Sequence, residues 1–377
     1  MGNEAPTKRI GIGPPGKYGG LIQFIVFWVL CVVFLTYLLP TKYLVNNLLP
    51  ATLFMLVTLG HLTMVGDGWP FSPPAGRWRP GKSRFWAGFG LTICWIVFTF
   101  AMILFARFIY PKWVLGPNYL WFGVVGFWAT LQSGVIWGGW PYKGRMHPWA
   151  AMFTSFLFVV LTCLFFWFVL MNLDGTPMAD TPSNHHGPFG AGQVVGFLVF
   201  AIAWTFVFGP IFTTQGTFFG KLRMPYSGIL QTILAHVVAF ITYYVPVKLG
   251  VNESFWVFGV GASWIFWPLV HSWHLQYWGV RKVTGIKRAV GAFVIQVVLV
   301  IVWVVIMRLI LGPMADRAAE LGVQADVYTF ITWVNLCILA PALIFHNSAW
   351  MRWPLTMPTP PGVPARDVAV DDREAAS

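Results

Sequence analysis

The chain contains few charged residues and very few acidic ones. Of its 377 residues, 10% are Asp, Glu, Lys or Arg, and 12 are Asp or Glu, whereas soluble domains contain about 25% charged residues. Hydrophobic residues make up 57% of the chain, and the mean hydropathy is +0.69. This composition excludes an ordinary soluble domain and predicts an all-α, polytopic integral membrane protein that lies in the lipid bilayer.

The sequence also lacks the motifs of familiar enzyme and metal-binding families. It contains no G-x-S-x-G, H-E-x-x-H, Walker A or EF-hand pattern. Its eight histidines are dispersed, unlike the grouped histidines of membrane di-iron oxygenases. The four cysteines lie in apolar segments, which indicates neither a disulfide framework nor a C-x-x-C metal site. Enzymes of these motif classes are therefore disfavoured.

Ten apolar runs follow one another along the chain, each close to the roughly 20 residues that a helix needs to cross about 30 Å of hydrocarbon. They lie near 21–40, 45–66, 84–109, 118–138, 149–172, 190–217, 226–247, 253–277, 288–312 and 326–349. We predict about ten transmembrane helices in a membrane domain at 21–349, after a cytoplasmic tail at 1–20. The segment 354–377 is Pro-rich and then acidic, which predicts a disordered cytoplasmic tail.

The basic residues predict the orientation, because cytoplasmic loops of membrane proteins are enriched in Lys and Arg. With the N-terminus in the cytoplasm, 18 of the 24 Lys and Arg residues fall in cytoplasmic segments. Both termini are then cytoplasmic, and we expect the cytoplasmic (inner) membrane of a bacterium. Because these residues are scattered in short loops, the net charge of +12 does not indicate a nucleic-acid partner.

The cytoplasmic edges of the runs resemble one another. Basic residues occur with a nearby Pro in RWRP (77–80), KGRMHP (143–148), KLRMP (221–225) and MRWP (351–354). Aligning GDGWPF (66–71) with GGWPY (138–142) places His61 opposite Gln132. A two-helix hairpin repeated in tandem about five times explains the pattern. The alternative is that any cytoplasmic boundary collects Lys, Arg, Trp and Pro.

Acidic side chains are nearly absent from the predicted spans. Of the 12 acidic residues, only Asp67 lies at the end of a span, and the others lie in the tails or in or beside outer loops. Ionisable groups inside a membrane are costly and usually functional. A transporter driven by a proton or sodium site on midplane carboxylates is therefore disfavoured.

Histidines are the ionisable residues that remain toward the cytoplasmic side. Five of them lie in the spans: His61, His236, His271, His274 and His346. His271 and His274 are three residues apart, so they share one helix face, as metal ligands or a proton relay require. We consider the five as a proton relay or as ligands of haem or a transition metal. The alternative is hydrogen bonding between helices.

Three prolines interrupt predicted spans six, eight and ten: Pro210, Pro268 and Pro341. Each removes a backbone hydrogen bond and frees a carbonyl, which needs a partner in the protein or a water-filled cavity. Interrupted helices with polar flanks are typical of transporter binding sites. The predicted substrate-binding residues are Thr213, Thr214, Gln215, Gln132, Trp264 and His236.

The outer loop at 173–190 contains a second group of candidate ligands. His185 and His186 lie near Asp174 and Asp180 in the sequence, and His and Asp side chains are common metal ligands. The alternative is that they are ordinary polar residues of a Gly- and Pro-rich loop.

Three classes of function agree with these patterns. The first is a permease or channel for a small solute, with a binding cavity in the cytoplasmic half of the membrane. The second is a membrane subunit of a redox or metalloenzyme complex, in which histidines hold haem or a metal. The third is an anchor or assembly subunit that binds partner subunits and has no site of its own. The helix interruptions and the missing enzyme motifs favour the first class.

Overall fold

The computed structural model of the chain describes residues 16–33, 49–66, 68, 71, 82–109, 118–176, 179, 180, 182, 184–213, 218–320 and 325–350. Several sequence predictions concern residues outside these ranges. They include the tail at 354–377, most of the tail at 1–20, Asp67, and the candidate binding residues Thr214 and Gln215.

The structure is all-α apart from one short strand pair, and each predicted apolar run overlaps one helical segment. We number these segments α1 to α10: α1 Gly16–Val33; α2 Leu49–Gly60 and His61–Val65; α3 Lys82–Ile109; α4 Asn118–Leu131 and Gln132–Ile136; α5 Pro148–Phe165 and Phe166–Leu170; α6 Ala191–Phe206 and Val207–Thr213; α7 Tyr226–Lys248; α8 Phe255–Gly261, Ala262–Leu269 and Val270–His274; α9 Gly285–Glu320; α10 Val327–Thr332, Trp333–Leu339 and Ala340–Ser348.

Six of these helices are long and apolar enough to cross a membrane, and α1, α2 and α4 are shorter apolar helices. The chain is therefore an integral membrane protein by the length and composition of its helices. A four-residue helical turn, Phe218–Lys221, precedes α7. The strands β1 (Met171–Asn172) and β2 (Phe189–Gly190) pair in parallel in the loop between α5 and α6.

Burial separates inner helices from outer helices. In the most apolar window of α6 and of α10, 78% and 67% of the residues are buried, but the values for α3, α5, α7 and α9 lie between 28% and 33%. The even-numbered helices contact one another in a closed cycle, in which α2 packs on α4, α4 on α6, α6 on α8, α8 on α10, and α10 on α2. We call these five helices the inner ring.

Four outer helices, α1, α5, α7 and α9, pack in the same way on the inner ring. Each lies against the inner helix that precedes it and also crosses the end of the inner helix one step further back. Thus α5 lies on α4 and crosses the end of α2, and α9 lies on α8 and crosses the end of α6. The pattern closes through the first helix, because α1 lies on α10 and crosses the end of α8.

Three inner helices end in the same backbone turn. In each, one N–H donates to the carbonyl five residues earlier, and a second N–H donates to the carbonyl six residues earlier. These bonds join Gly66 to His61, Gly68 to Leu62, Trp137 to Gln132, Gly139 to Ser133, Leu275 to Val270, and Tyr277 to His271, at 2.7–3.0 Å. The turn requires a positive φ, which Gly68 and Gly139 adopt without strain at +70° and +78°.

The end of α9 differs from the sequence prediction. The predicted ninth run stops at 312, just before Pro313, but α9 continues through this proline to Glu320. Its 36 residues correspond to about 54 Å, more than the hydrocarbon thickness. Asp316 and Glu320 therefore lie on a helix and not in an irregular loop.

Gly20 tests the packing of α1 across the end of α8. A Cβ atom at this position would lie 1.8 Å from the backbone oxygen of His274, whereas a Cβ at Gly312 would have open space. We expect Gly20→Ala to push α1 away from α8 and to lower stability by about 1–3 kcal/mol. Thermal unfolding of the detergent-solubilised protein measures this effect. Gly312→Ala is the matched control, and equal melting temperatures for the two variants would contradict the contact.

Candidate functional site

Uncharged polar side chains gather along the inner ring. Among the described residues, no Asp, Glu, Lys or Arg is buried. Several buried polar residues lie in π-helical segments, in which the helix is wider than an α-helix, and such segments are frequent at functional sites. This group consists of His61, Gln132, Ser133, His271, Ser272, His274 and Asn335. We take it as the candidate site.

Gln132 joins three helices. Its Nε2–H donates to Thr205 Oγ1 on α6 at 2.7 Å, and its Oε1 accepts from Thr232 Oγ1 on α7 at 3.4 Å. The Thr205 hydroxyl donates in turn to the carbonyl of Ala201 at 2.8 Å. The indole N–H of Trp137 donates to Thr232 Oγ1 at 3.2 Å. Because both ends of the amide are bonded, its orientation is set by the protein.

His236 lies next to this network, because both it and Gln132 contact Thr232. Its Nδ1 lies 2.6 Å from the carbonyl oxygen of Thr232, so Nδ1–H donates to that oxygen. Its Nε2 accepts from the indole N–H of Trp128 at 3.1 Å. Both ring nitrogens are therefore occupied in a neutral imidazole. This arrangement positions α7 against α4 and leaves neither nitrogen open for a metal.

His271 is held in a similar way between α8 and α9. Its Nε2 lies 2.9 Å from the carbonyl oxygen of Trp278, to which it donates, and its Nδ1 accepts from Gln296 Nε2 at 3.3 Å. The ring is fully buried and lies edge-on to Tyr277. In this geometry His271 fastens the turn after α8 and is not free to bind a metal.

The same turn is tied to the kinked end of α6. Tyr277 has a positive φ of +55°, which is strained for a residue with a side chain. Its hydroxyl donates to the carbonyl of Pro210 at 3.0 Å, and the Arg288 guanidinium lies 4.8 Å from its ring centre. Pro210 lies inside the π-helical end of α6. Tyr277 therefore satisfies a backbone carbonyl at one of the predicted helix interruptions.

His61 differs from these histidines. Its side chain is fully buried, and Nδ1 donates to the carbonyl of Val57 at 2.8 Å. The ring lies edge-on to Phe156, with 5.5 Å between centroids. Its Nε2 is buried and makes no well-aligned hydrogen bond to a residue that the structure describes, although the backbone of Ser155 lies near the ring. A buried nitrogen of this kind is available to a ligand or to a proton.

The remaining two histidines lie beside α1. The Nδ1 atom of His346 lies 2.6 Å from Gln23 Nε2, and its ring packs on Phe27. His274 is buried at the end of α8, where the backbone of Gly20 passes close to its carbonyl. The five histidines are thus distributed over several helix contacts, and they do not form one cluster.

Trp264 packs among other aromatic rings and makes no hydrogen bond to the Gln132 network. Its ring packs between Trp204 and Phe293, at 5.1 and 5.8 Å between centroids. Its indole N–H is buried and has no hydrogen-bond acceptor among the described residues. Thr213 is the last residue of the π-helical end of α6. Of the six predicted substrate-binding residues, the structure therefore brings together Gln132 and His236.

The loop between α5 and α6 is organised by an asparagine, Asn184, that the sequence patterns did not indicate. Asn184 donates to Asp174 Oδ1 at 2.7 Å and accepts from the backbone N–H of Leu173 at 3.0 Å. Hydrogen bonds from Asn172 and Asn184, and then the nearby His186, lower the pKa of the Asp174 carboxyl. His186 lies 3.2 Å from Asp174, and His185 packs on Phe168. These contacts agree with a structural loop.

The buried residues that the sequence patterns did not indicate are mainly uncharged amides. Gln23 and Gln296 each contact a histidine, and Asn335 accepts from Trp303 Nε1 at 2.9 Å and donates to Ser263 at 3.1 Å. All three are buried. Each could have been recognised in the sequence as a single amide within an apolar run, since such a group needs a hydrogen-bond partner inside a membrane.

Gln132 provides a stability test of the network. Gln132→Ala leaves Thr205 without a donor and Thr232 without an acceptor at this position, so we expect a loss of about 1–3 kcal/mol. Thermal unfolding in detergent measures it. Gln193→Ala is the control, because Gln193 is exposed near the start of α6. A Gln132 variant as stable as the Gln193 variant would show that the network does not hold α4, α6 and α7 together.

The described residues contain no group of three or more His, Cys, Asp or Glu side chains that is able to hold a metal ion. Comparison of the chain with protein-family models, curated proteins and solved structures finds no match.

Proposed function

We propose that the protein is a permease for a small solute in the cytoplasmic membrane of a bacterium. The solute binds in the cytoplasmic half of the membrane, at the level of the π-helical ends of the inner ring. Gln132, Thr205 and Thr232 bind polar groups of the solute there, and His61 supplies a nitrogen that the protein leaves open. The surrounding aromatic rings favour a neutral or weakly cationic solute.

The distribution of polar groups is the main support for this proposal. The inner ring places amide, hydroxyl and imidazole groups in π-helical turns, and no charged side chain is buried in the described ranges. Such groups offer hydrogen bonds to an uncharged solute without the desolvation cost of a buried ion pair. Without carboxylates at depth, the transport is facilitative, or its proton coupling depends on histidine.

The packing supports a repeated architecture for this permease. We infer five units of one inner and one outer helix, with ten membrane spans and both termini in the cytoplasm. The contacts of the outer helices repeat around the cycle, and α2, α4 and α8 share one terminal turn. The aligned residues His61 and Gln132 both begin π-helical segments, in agreement with a tandem repeat.

The histidine contacts favour transport over the haem or metal hypothesis. His236 and His271 use both ring nitrogens in hydrogen bonds within the protein. A histidine ligates a metal through a free ring nitrogen. Either residue would therefore have to break a buried hydrogen bond before it became a ligand.

Solute permeation tests the proposal directly. Proteoliposomes are mixed with methylammonium, imidazole or glycerol, and light scattering follows the swelling of the vesicles. We expect at least one solute to enter about tenfold faster than into empty liposomes, and we expect His61→Phe to remove most of this gain. His147→Ala is the control in an exposed loop position. Rates equal to those of empty liposomes for all three solutes would count against a permease of this solute class.

An absorption spectrum and a metal assay test the competing hypothesis. We expect purified protein to show no Soret band and to contain no stoichiometric transition metal. A Soret band that disappears in His61→Phe, but persists in His147→Ala, would replace the permease with a haem protein.

A further inference from the structure

A groove of about 320 Å³ lies between α8 and α9, and its lining includes Trp264 but none of the polar residues of the candidate site. All its lining residues are apolar: Phe255, Trp256, Val260, Trp264, Val297, Val300, Ile301, Val304 and Val305. Ile301 and Val305 are 61% and 56% exposed, so the groove opens to the face of the protein that meets lipid. An apolar space of this kind does not hold water. In a bilayer it is filled by hydrocarbon.

The size of the groove matches one hydrocarbon chain. Its walls extend over nine residue steps on α8, from Phe255 to Trp264, and over eight on α9, from Val297 to Val305. At 1.5 Å per residue, the walls are about 12–14 Å long. The volume then gives a mean cross-section of roughly 25 Å², which is enough for one alkyl chain.

A cation lies at one end of the groove. Arg308 follows Val297, Ile301 and Val304 on one face of α9, because residues three and four apart are neighbours on a helix. Its side chain is exposed, and its guanidinium lies 5.9 Å from the ring centre of Tyr328. Within the described part of the chain, no carboxylate is within ion-pair distance of Arg308.

The position of Arg308 along α9 corresponds to a membrane surface. Arg288 and Arg308 lie 20 positions apart on this helix, which is about 30 Å and equals the hydrocarbon thickness. The two arginines therefore mark the two headgroup levels. The groove runs from the Arg308 level toward the bilayer centre and covers most of one leaflet.

We propose that this groove is a phospholipid-binding site. One acyl chain lies between α8 and α9, and the lipid phosphate binds the Arg308 guanidinium, which is well suited to phosphate. The inference does not depend on the permease proposal, because the groove and the inner-ring polar residues are separate.

Native mass spectrometry of the full chain in a mild detergent tests the site. We expect wild type to retain one phospholipid, such as added dioleoylphosphatidylglycerol. Ile301→Trp fills the groove and should reduce the occupancy about tenfold. Val298→Trp is the matched control, because Val298 is 53% exposed on the same helix and does not line the groove. If the Ile301→Trp variant aggregates in size-exclusion chromatography, Val305→Trp is used in its place.

The headgroup is tested separately with Arg308→Gln and the exposed control Arg317→Gln. We expect only Arg308→Gln to weaken phospholipid binding several-fold, with no effect on dioleoylglycerol, which lacks phosphate. Equal lipid occupancy in Ile301→Trp and Val298→Trp would overturn the chain site. Unchanged phospholipid binding in Arg308→Gln, or equally strong protection from thermal unfolding by inorganic phosphate alone, would overturn the combined site.

Discussion

The interior of a bilayer contains no water, so the protein must supply a partner for each polar group that it buries there. For several backbone carbonyls of the inner ring, this partner is a side chain from outside the helix. Trp95 Nε1 donates to the carbonyl of Met55, Tyr277 to that of Pro210, and the Lys143 ammonium to that of Met64. These bonds satisfy backbone carbonyls from outside their own helix. The helix contacts are therefore specified by polar groups as well as by packing.

This requirement also explains the difference between the two layers. An outer helix presents one face to lipid, where apolar side chains suffice. An inner helix has neighbours on several sides, so small and polar residues are needed where helices approach closely. Thr58 and Thr99 bond across α2 and α3 at 2.8 Å, and Ser133 and Ser155 bond across α4 and α5 at 2.8 Å. Each pair joins an inner helix to the outer helix that follows it.

The sequence patterns predicted the elements well and the details of the site less well. Apolar runs located the helices because length and hydrophobicity are sufficient for a span. The alignment of His61 with Gln132 corresponds to a shared terminal turn, because Gly68 and Gly139, which the alignment pairs, both belong to that turn. Widening into π-helix depends on packing and leaves no pattern in composition. The end of α9 was misplaced because Pro313 suggests a stop, yet the helix continues.

The partners of the histidines could not be predicted, for a related reason. His271 and His274 share a face by spacing, but the structure places them against different neighbours, α9 and α1. Gln23 and Gln296 are single amides, and each is distant in sequence from the histidine that it contacts. Such pairs depend on which helices become neighbours, and one sequence does not reveal this.

The position of α1 has a consequence for how the protein is made. A ribosome produces α1 first, but the surfaces on which it packs, α8 and α10, are synthesised last. While the intervening helices are synthesised, α1 therefore lacks its neighbours α8 and α10, and Gln23 lacks its contact with His346. The contacts of α1 are complete only once α10 has been made, so a nascent chain truncated before α10 leaves Gln23 without its contact to His346.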